Sequence, residues 1–336
     1  MIDGRRDKHL YGAMFLMATS AIGPGFITQT TQFTAQLGAA FAFAILVSIL
    51  IDVALQLNVW RVIGVSGLRA QELGNSVAPG VGHVFTVFVV LGGFVFNVGN
   101  IAGAGLGLEA LLGLEPKWGG AASALLAIAV FLSRRAGVTM DRIVVVLGFV
   151  MIAMTAYVAF VSHPPVGAAL RNAVLPERVD FLAIMTLVGG TVGGYITYAG
   201  AHRLLDAGVC GPDRVAEISR ASVIGVLVTG LMRVLLFLAV LGVVAAGVRL
   251  DPSNPAASAF EAAAGGAGRR VFGMILWAAA ITSVIGASYT SVSFLVSASE
   301  RLANRLAKRL LCVRLPLYET LWASSMMMRS HQALSR

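Results

Sequence analysis

The sequence predicts an all-α polytopic membrane protein built on an inverted repeat, with two of its spans broken near the middle of the membrane. Three observations carry that prediction. Of 336 residues, 57% are hydrophobic and 12% are charged, about half the charged share of a soluble domain. The apolar residues fall into eight runs separated by short charged stretches, and roughly 20 apolar residues are what a helix needs to cross hydrocarbon. Two of those runs, the first and the sixth, carry glycine clusters at comparable depth.

The composition excludes several classes. Length alone would suggest two soluble domains, but a mean hydropathy of +0.84 rules them out. Cys210 and Cys312 are the only cysteines, so the chain is no disulfide scaffold. The net charge of +9 comes from arginines at the ends of apolar runs. That pattern orients a protein in a membrane and predicts no nucleic-acid partner.

In chain order, residues 1–9 form a charged cytoplasmic cap. The first run, Leu10 to about Leu37, is too long and too polar in its second half for a signal peptide. Runs follow at Ala39–Trp60, Gly82–Leu108, Trp118–Leu132 and Ile143–Val161, closing a first five-span unit over residues 10–161. Residues 162–180 read as an external loop. The runs Phe181–Leu205, Ala221–Ala246 and Val271–Ala298 make a partial second unit, 181–298. Residues 299–336 read as a basic amphipathic cytoplasmic tail, its short apolar fragments interrupted by Arg314 and Pro316. Lysine and arginine concentrate on the segments sharing a side with the N-terminus, such as Arg5, Arg6, Lys8, Arg61, Arg69 and Arg142. This places both termini in the cytoplasm and the chain in the inner (plasma) membrane.

The breaks are readable from local chemistry. At Gly23-Pro24-Gly25, proline withdraws a backbone donor while its neighbours tolerate unwound dihedrals. The stretch Gly189-Gly190-Thr191-Val192-Gly193-Gly194 interrupts the sixth run in the same way. Non-helical backbone in hydrocarbon must be buried in protein or line a cavity. One break alone would be a kink or a close helix contact. Breaks in corresponding spans of two repeats of opposite topology predict a central solute site. Its candidate lining is Ile22, Gly23, Phe26, Thr28, Gln29, Thr191, Val192, Gly193 and Tyr195. Gln29, Gln32 and Gln36 share a helix face that either bonds neighbouring helices or lines a wet path.

Asn97 and Asn100 sit one turn apart in the third run, opposite the hydroxyl-rich eighth run with Thr282, Ser283 and Ser288. Both asparagines are pathway candidates. Asp52 and Arg233 are the two deeply placed charges; pairing them predicts a structural or gating ion pair, with proton loading at Asp52 as the other reading. His202 and Arg203 read as cytoplasmic-side gating residues. His83 and His163 lie at membrane edges and no HExxH motif occurs, so neither an enzyme nor a cofactor is predicted. No repeated filter motif or charged ring points to a channel. The expected partners are the lipid bilayer and a small ion or polar solute, with a coupling proton; the sequence specifies no oligomeric partner and no metal ligand set.

With these residues in view, the chain resembles the Nramp family of proton-coupled divalent-metal transporters over roughly residues 10–300. FLMATSAIGPGF followed by ITQTTQFTAQLG, residues 15–38, is similar to the family's first span, where an Asp-Pro-Gly-Asn motif makes the break. AGAGLGLEALLGL at 102–114 and GGTVGGYITYAGAHR at 189–203 resemble its third and sixth spans. The resemblance implies a leucine-transporter-type fold and metal-ion transport by alternating access. It also implies a C-terminally short member, since two five-span repeats need ten spans; such a chain would be inactive or completed by another subunit. Gly23 matches the family's metal-binding aspartate, Phe26 its asparagine, Gly193 its methionine and Tyr195 the first histidine of the sixth-span motif. Asn97 and Asn100 match an acidic pair associated with proton movement. The usual metal ligands are therefore replaced together, and the remaining carbonyls, hydroxyls and helix ends also suit a small carboxylate-bearing solute.

Overall fold

A computed structural model of the chain describes residues 3–132, 136–192 and 194–312, and every regular element among them is helical. Helices α1 (Asp3–Ala21) and α2 (Pro24–Leu37) are the two halves of the first apolar run. A single 3-10 turn leads into α3 (Phe41–Ser66), followed by α4 (Ala70–Val77), α5 (Val81–Leu112), α6 (Pro116–Leu132), α7 (Ala136–Val161) and α8 (Val166–Val174). Helices α9 (Phe181–Gly189) and α10 (Ile196–Asp206) are the halves of the sixth run, and α11 (Val215–Ala245) and α12 (Pro255–Cys312) complete the described chain.

Among the described residues, four segments are long and apolar enough to cross a membrane: Pro24–Ser66, Val81–Leu112, Pro212–Ala245 and Pro255–Leu295. Phe149–Val161 and Val166–Val174 make a fifth if the pair is one span, bent by 109°. His163 turns that bend with φ 49°, a backbone region histidine enters more readily than bulkier residues. Among the described residues, length and composition thus identify four or five spans where eight were expected. The breaks split the first and sixth runs into short halves, and α6 has only 17 residues. The fold is nevertheless all-α and multi-pass. Two short helices fall where loops were expected, α4 and, within the external segment 162–180, α8.

Two compact units divide the chain, Met1–Phe294 and Leu295–Arg336. In the second, the described residues continue as helix to Cys312; the remainder of the expected tail, 313–336, lies outside the described residues. Within the first unit, α12 is kinked at Ala264–Gly265, where Gly265 takes φ 64°, a left-handed conformation that favours glycine.

Packing follows the distribution of small and large apolar residues. One core cluster joins Ile22, Phe26 and Ile27 at the first break to Met232, Leu236, Phe260 and Phe272. Another gathers Trp60, Ala201, Leu204, Ile218 and Phe294. Backbones of α5 and α12 touch where Gly107 meets Gly273: a Cβ on Gly107 would stand 2.7 Å from Trp277 N. Small residues permit such contacts in membrane bundles, where dispersion at close approach replaces hydrophobic drive. The opposite faces carry exposed Phe88, Phe94, Val95, Phe160 and Phe181, the surface that lipid covers.

Candidate functional site

The first break is a hydrogen-bond problem solved from outside the helix. An α-helical carbonyl at Ser20 would accept from residue 24, but Pro24 has no N–H. Ser283 of α12 supplies the missing donor: its Oγ donates to the Ser20 carbonyl at 3.0 Å. Thr282 Oγ1 lies 3.4 Å from the Thr19 carbonyl. The chain leaves α1 through Ile22 and Gly23, both buried, and Gly23 caps α2 in an extended conformation with no side-chain hydrogen bond. Behind Gly23 stand Ser283 and Asn100; a Cβ there would lie 2.7 Å from Ser283 Oγ and 3.1 Å from Asn100 Oδ1. Asn97 Nδ2 donates to Ser288 Oγ at 3.1 Å, and Asn100 Nδ2 reaches Asn97 Oδ1 at 3.5 Å. The two asparagines and the hydroxyl-rich helix therefore form one polar strip against the first break.

At the second break, Asp180 caps the start of α9 by accepting from the Ala183 N–H at 2.9 Å. The helix stops at Gly189, and α10 begins at Ile196 after Tyr195, which provides no side-chain cap. Gly190 and Gly194 belong to the non-helical stretch, while Gly193 lies outside the described residues. Thr191 and Val192 are buried. The two breaks meet at Gln29: a Cβ on Gly190 would stand 2.8 Å from its Oε1. Tyr195 packs edge-on against Phe96 with ring centroids 5.7 Å apart. Gln29 Oε1 and the Tyr195 hydroxyl are buried without a hydrogen-bond partner among the described residues. Thr28, Gly25, Gln32 and Gln36 are exposed, and Thr28 lines a small groove with Pro24, Thr31, Asn254 and Phe272.

Asp52 and Arg233 are 4% and 2% exposed and border one cavity of about 10 Å³ with Thr191, Val192 and Thr229. The direct ion pair expected between them is not formed: no such pair within 4.0 Å occurs among the described residues. Thr191 Oγ1 instead donates to Asp52 Oδ2 at 2.7 Å. The Arg233 guanidinium lies 4.2 Å from the centroid of the Phe26 ring, a cation–π stack. Each charge has found a different neighbour, and both border the cavity.

His202 sits at a buried junction of α4, α10 and α12. Its Nε2 accepts from the Ala70 N–H at 3.2 Å, which puts the ring proton on Nδ1, 2.8 Å from Ser293 Oγ. Arg203 lies in the last turn of α10, half-buried. Nearby, Arg69 pairs with Asp206 at 2.5 Å and also reaches the Ser293 carbonyl; the Tyr289 hydroxyl donates to the same aspartate.

One buried strip escaped sequence reasoning. Ser48, Asp52, Gln56 and Trp60 recur every fourth residue on α3, and all four are buried. Asp52 holds Thr191, Gln56 Nε2 donates to the Ser222 carbonyl at 2.8 Å, and Trp60 Nε1 donates to the Thr197 carbonyl at 2.9 Å. The spacing itself was the available signal, because residues four apart share a helix face.

Among the described residues, no three His, Cys, Asp or Glu side chains gather into a group suited to hold a metal ion. The family model "Natural resistance-associated macrophage protein-like" (Nramp) matches residues 14–315. The membrane protein YcsG of Bacillus subtilis (strain 168) is 57% identical over 293 residues, covering 87% of this chain and 72% of the relative. A membrane protein of Haemophilus influenzae is 54% identical over 292 residues, 87% of this chain and 74% of the relative. Among solved structures, a variant of the Eremococcus coleocola manganese transporter superposes with a TM-score of 0.69 at 17% identity, covering 98% of this chain and 72% of that one. The same transporter in complex with an aromatic bis-isothiourea substituted compound superposes with a TM-score of 0.63 at 16% identity, covering 97% and 74%. The structures share the fold, and the family match extends over most of the chain: it belongs to the Nramp family and is a multi-pass membrane transporter rather than an enzyme.

Proposed function

We propose that this chain is a secondary transporter that moves a small carboxylate-bearing solute by alternating access through its two helix breaks. The observation that carries this reading is that α2 and α10 each begin at a break with no side-chain cap, and that Gln29 of α2 lies against Gly190 of the second break. Unsatisfied N–H groups and the positive end of the helix dipole favour an anionic group at such positions. Gln29 and Tyr195 add unpartnered polar atoms, and Phe26 and the Tyr195 ring supply apolar walls. Thr28, Thr191 and the backbone at Ile22, Gly23, Val192 and Gly193 complete the proposed lining.

Family membership supports a second reading, metal-ion transport. The carbonyls of Ile22 and Val192 and the hydroxyls of Thr28, Thr191 and Tyr195 would then serve a cation that keeps part of its water shell. The neighbouring solved structures are of a manganese transporter, whereas the break residues here include no carboxylate or thioether side chain. Proteoliposomes given radiolabelled manganese, magnesium, lactate and succinate separate the two. Saturable carboxylate uptake above empty vesicles is the expected result; saturable metal uptake without carboxylate uptake overturns it.

Such a transporter is an inverted repeat with the breaks at its core and its termini on the cytoplasmic face of the inner membrane, and its pathway runs past Asn97, Asn100, His202, Arg203, Asp52 and Arg233. A proton gradient is the proposed coupling source. Uptake that is indifferent to an imposed pH difference would remove that element.

A further inference from the structure

Arg233 is buried, and two of its donors, Nε and Nη2, have no partner among the described residues. In a guanidinium, Nε–H and one Nη2–H lie on the same edge and run parallel, the fork that grips both oxygens of a carboxylate. An empty fork in a buried site is costly to maintain unless something fills it during function. Arg233 borders the cavity shared with Thr191, Val192 and Thr229, which has room for about one water molecule. Its other face lies on Phe26, in the first turn of α2 beside the uncapped helix start. The residue thus joins the first break to the wall of the second.

The internal group able to fill the fork is Asp52, which borders the same cavity. Thr191 holds its Oδ2, while Oδ1 has no partner among the described residues. From this arrangement we infer that Arg233 is the carboxylate-binding residue of the solute site and that Asp52 is the internal carboxylate competing for its fork. The inference rests on the carboxylate reading above and names the residue that carries its specificity. As it stands, the cavity is too small for a solute carboxylate. Thr191 and Val192 form part of its wall and belong to the non-helical stretch between α9 and α10. Displacing that stretch enlarges the cavity and breaks the Thr191–Asp52 bond, so seating a solute on Arg233 and moving the second break become one event. A seated carboxylate would lie beside Phe26 and within about a turn of the α2 start, and both would favour its charge.

The test uses the full chain in nanodiscs, titrated with L-lactate, succinate and L-proline, with lactamide as the uncharged control. Binding is read by tryptophan fluorescence and thermal shift. Wild type is expected to bind at least one carboxylate and not lactamide. R233K keeps the charge but loses the fork, and is expected to bind that carboxylate about tenfold more weakly or worse. D52N removes the competitor and is expected to bind more tightly, by roughly threefold or more. Equal binding by R233K and wild type, or weaker binding by D52N, overturns the inference while leaving the carboxylate reading intact. So does wild-type binding by D52N/R233Q, which would show that Arg233 serves only Asp52. A wild type that binds none of the three carboxylates, tested against a folded, monodisperse sample, overturns the carboxylate reading and this inference with it.

Discussion

Thr191 donates its hydroxyl to Asp52 Oδ2 at 2.7 Å, tying the non-helical stretch of the sixth run to the middle of α3. The same hydroxyl lies 2.8 Å from the Leu187 carbonyl. It has one hydrogen to give, and an ionised carboxylate is the stronger acceptor. The break is therefore held by a side chain of another helix as well as by its own backbone. Together with Gln56 and Trp60, Asp52 makes α3 a strut that grips α10, α11 and the second break along one face.

Replacing Thr191 by valine keeps the shape and removes the donor. Asp52 would then be buried with both oxygens unpartnered, since Oδ1 already lacks a partner. The expected loss is about 1–3 kcal/mol of stability, with T191S retaining most of it. Thermal unfolding in detergent reads the difference, and equal midpoints for T191V and T191S would show that the bond does not hold the break.

At the first break the critical quantity is space. Gly23 has an ordinary negative φ of −97°, so alanine would suffer no backbone strain there. Its Cβ would nonetheless stand 2.7 Å from Ser283 Oγ, the group replacing the missing Pro24 donor. G23A is expected to cost about 1–3 kcal/mol by overpacking. In G23A/S283A the nearest clash is removed but the Ser20 carbonyl loses its partner, so the second change should not restore wild-type stability. Full recovery in thermal unfolding would mean that the serine hydroxyl contributes nothing at Ser20.

What the sequence revealed and what it hid divide along physical lines. Both breaks were legible, because proline and clustered glycine act through their own backbone: α1 ends before Gly23, and α9 ends at Gly189. The polar strip of Asn97, Asn100 and the α12 hydroxyls was legible as well, from its composition. The relation of Asp52 to Arg233 was only half legible. Depth placed both charges in one region, but which neighbour each would take depends on angles between three helices that no one-dimensional spacing encodes. Helices α4 and α8, of 8 and 9 residues, were missed because a segment that short leaves no apolar run to find. The role of His202 was hidden for a related reason, since Ala70 and Ser293, which orient its ring, lie far away in the sequence.

Trp60 offers an optical test of the α3 strut. Its ring is fully buried, and a Cβ on Gly200 of α10 would stand 2.2 Å from Cζ2. G200A must push the ring away or separate the helices, stretching the Trp60–Thr197 bond of 2.9 Å. The expected cost is about 1–3 kcal/mol, accompanied by a red shift in tryptophan emission as the indole gains access to water. Comparison with W60F/G200A identifies the source: in that background the emission change should vanish. A G200A protein with wild-type emission and stability would place the α3–α10 contact elsewhere.

A buried imidazole and an exposed charge network meet at the same junction of α4 and α10. His202 is 0% exposed and provides the acceptor for the Ala70 N–H at the start of α4. H202A removes that acceptor and opens a cavity among Tyr198 and Phe294, whose rings pack on the imidazole. Together these should cost about 2–4 kcal/mol. Y289F removes only a hydroxyl bonded to Asp206, whose side chain is 30% exposed and keeps its pairing with Arg69; for a partly solvated network the loss should be below about 1 kcal/mol. Hydrogen exchange at Ala70 provides a local readout beside thermal unfolding, rising in H202A and not in Y289F. Equal losses in the two variants would mean that the exposed aspartate, rather than the imidazole, fastens α4 to α10.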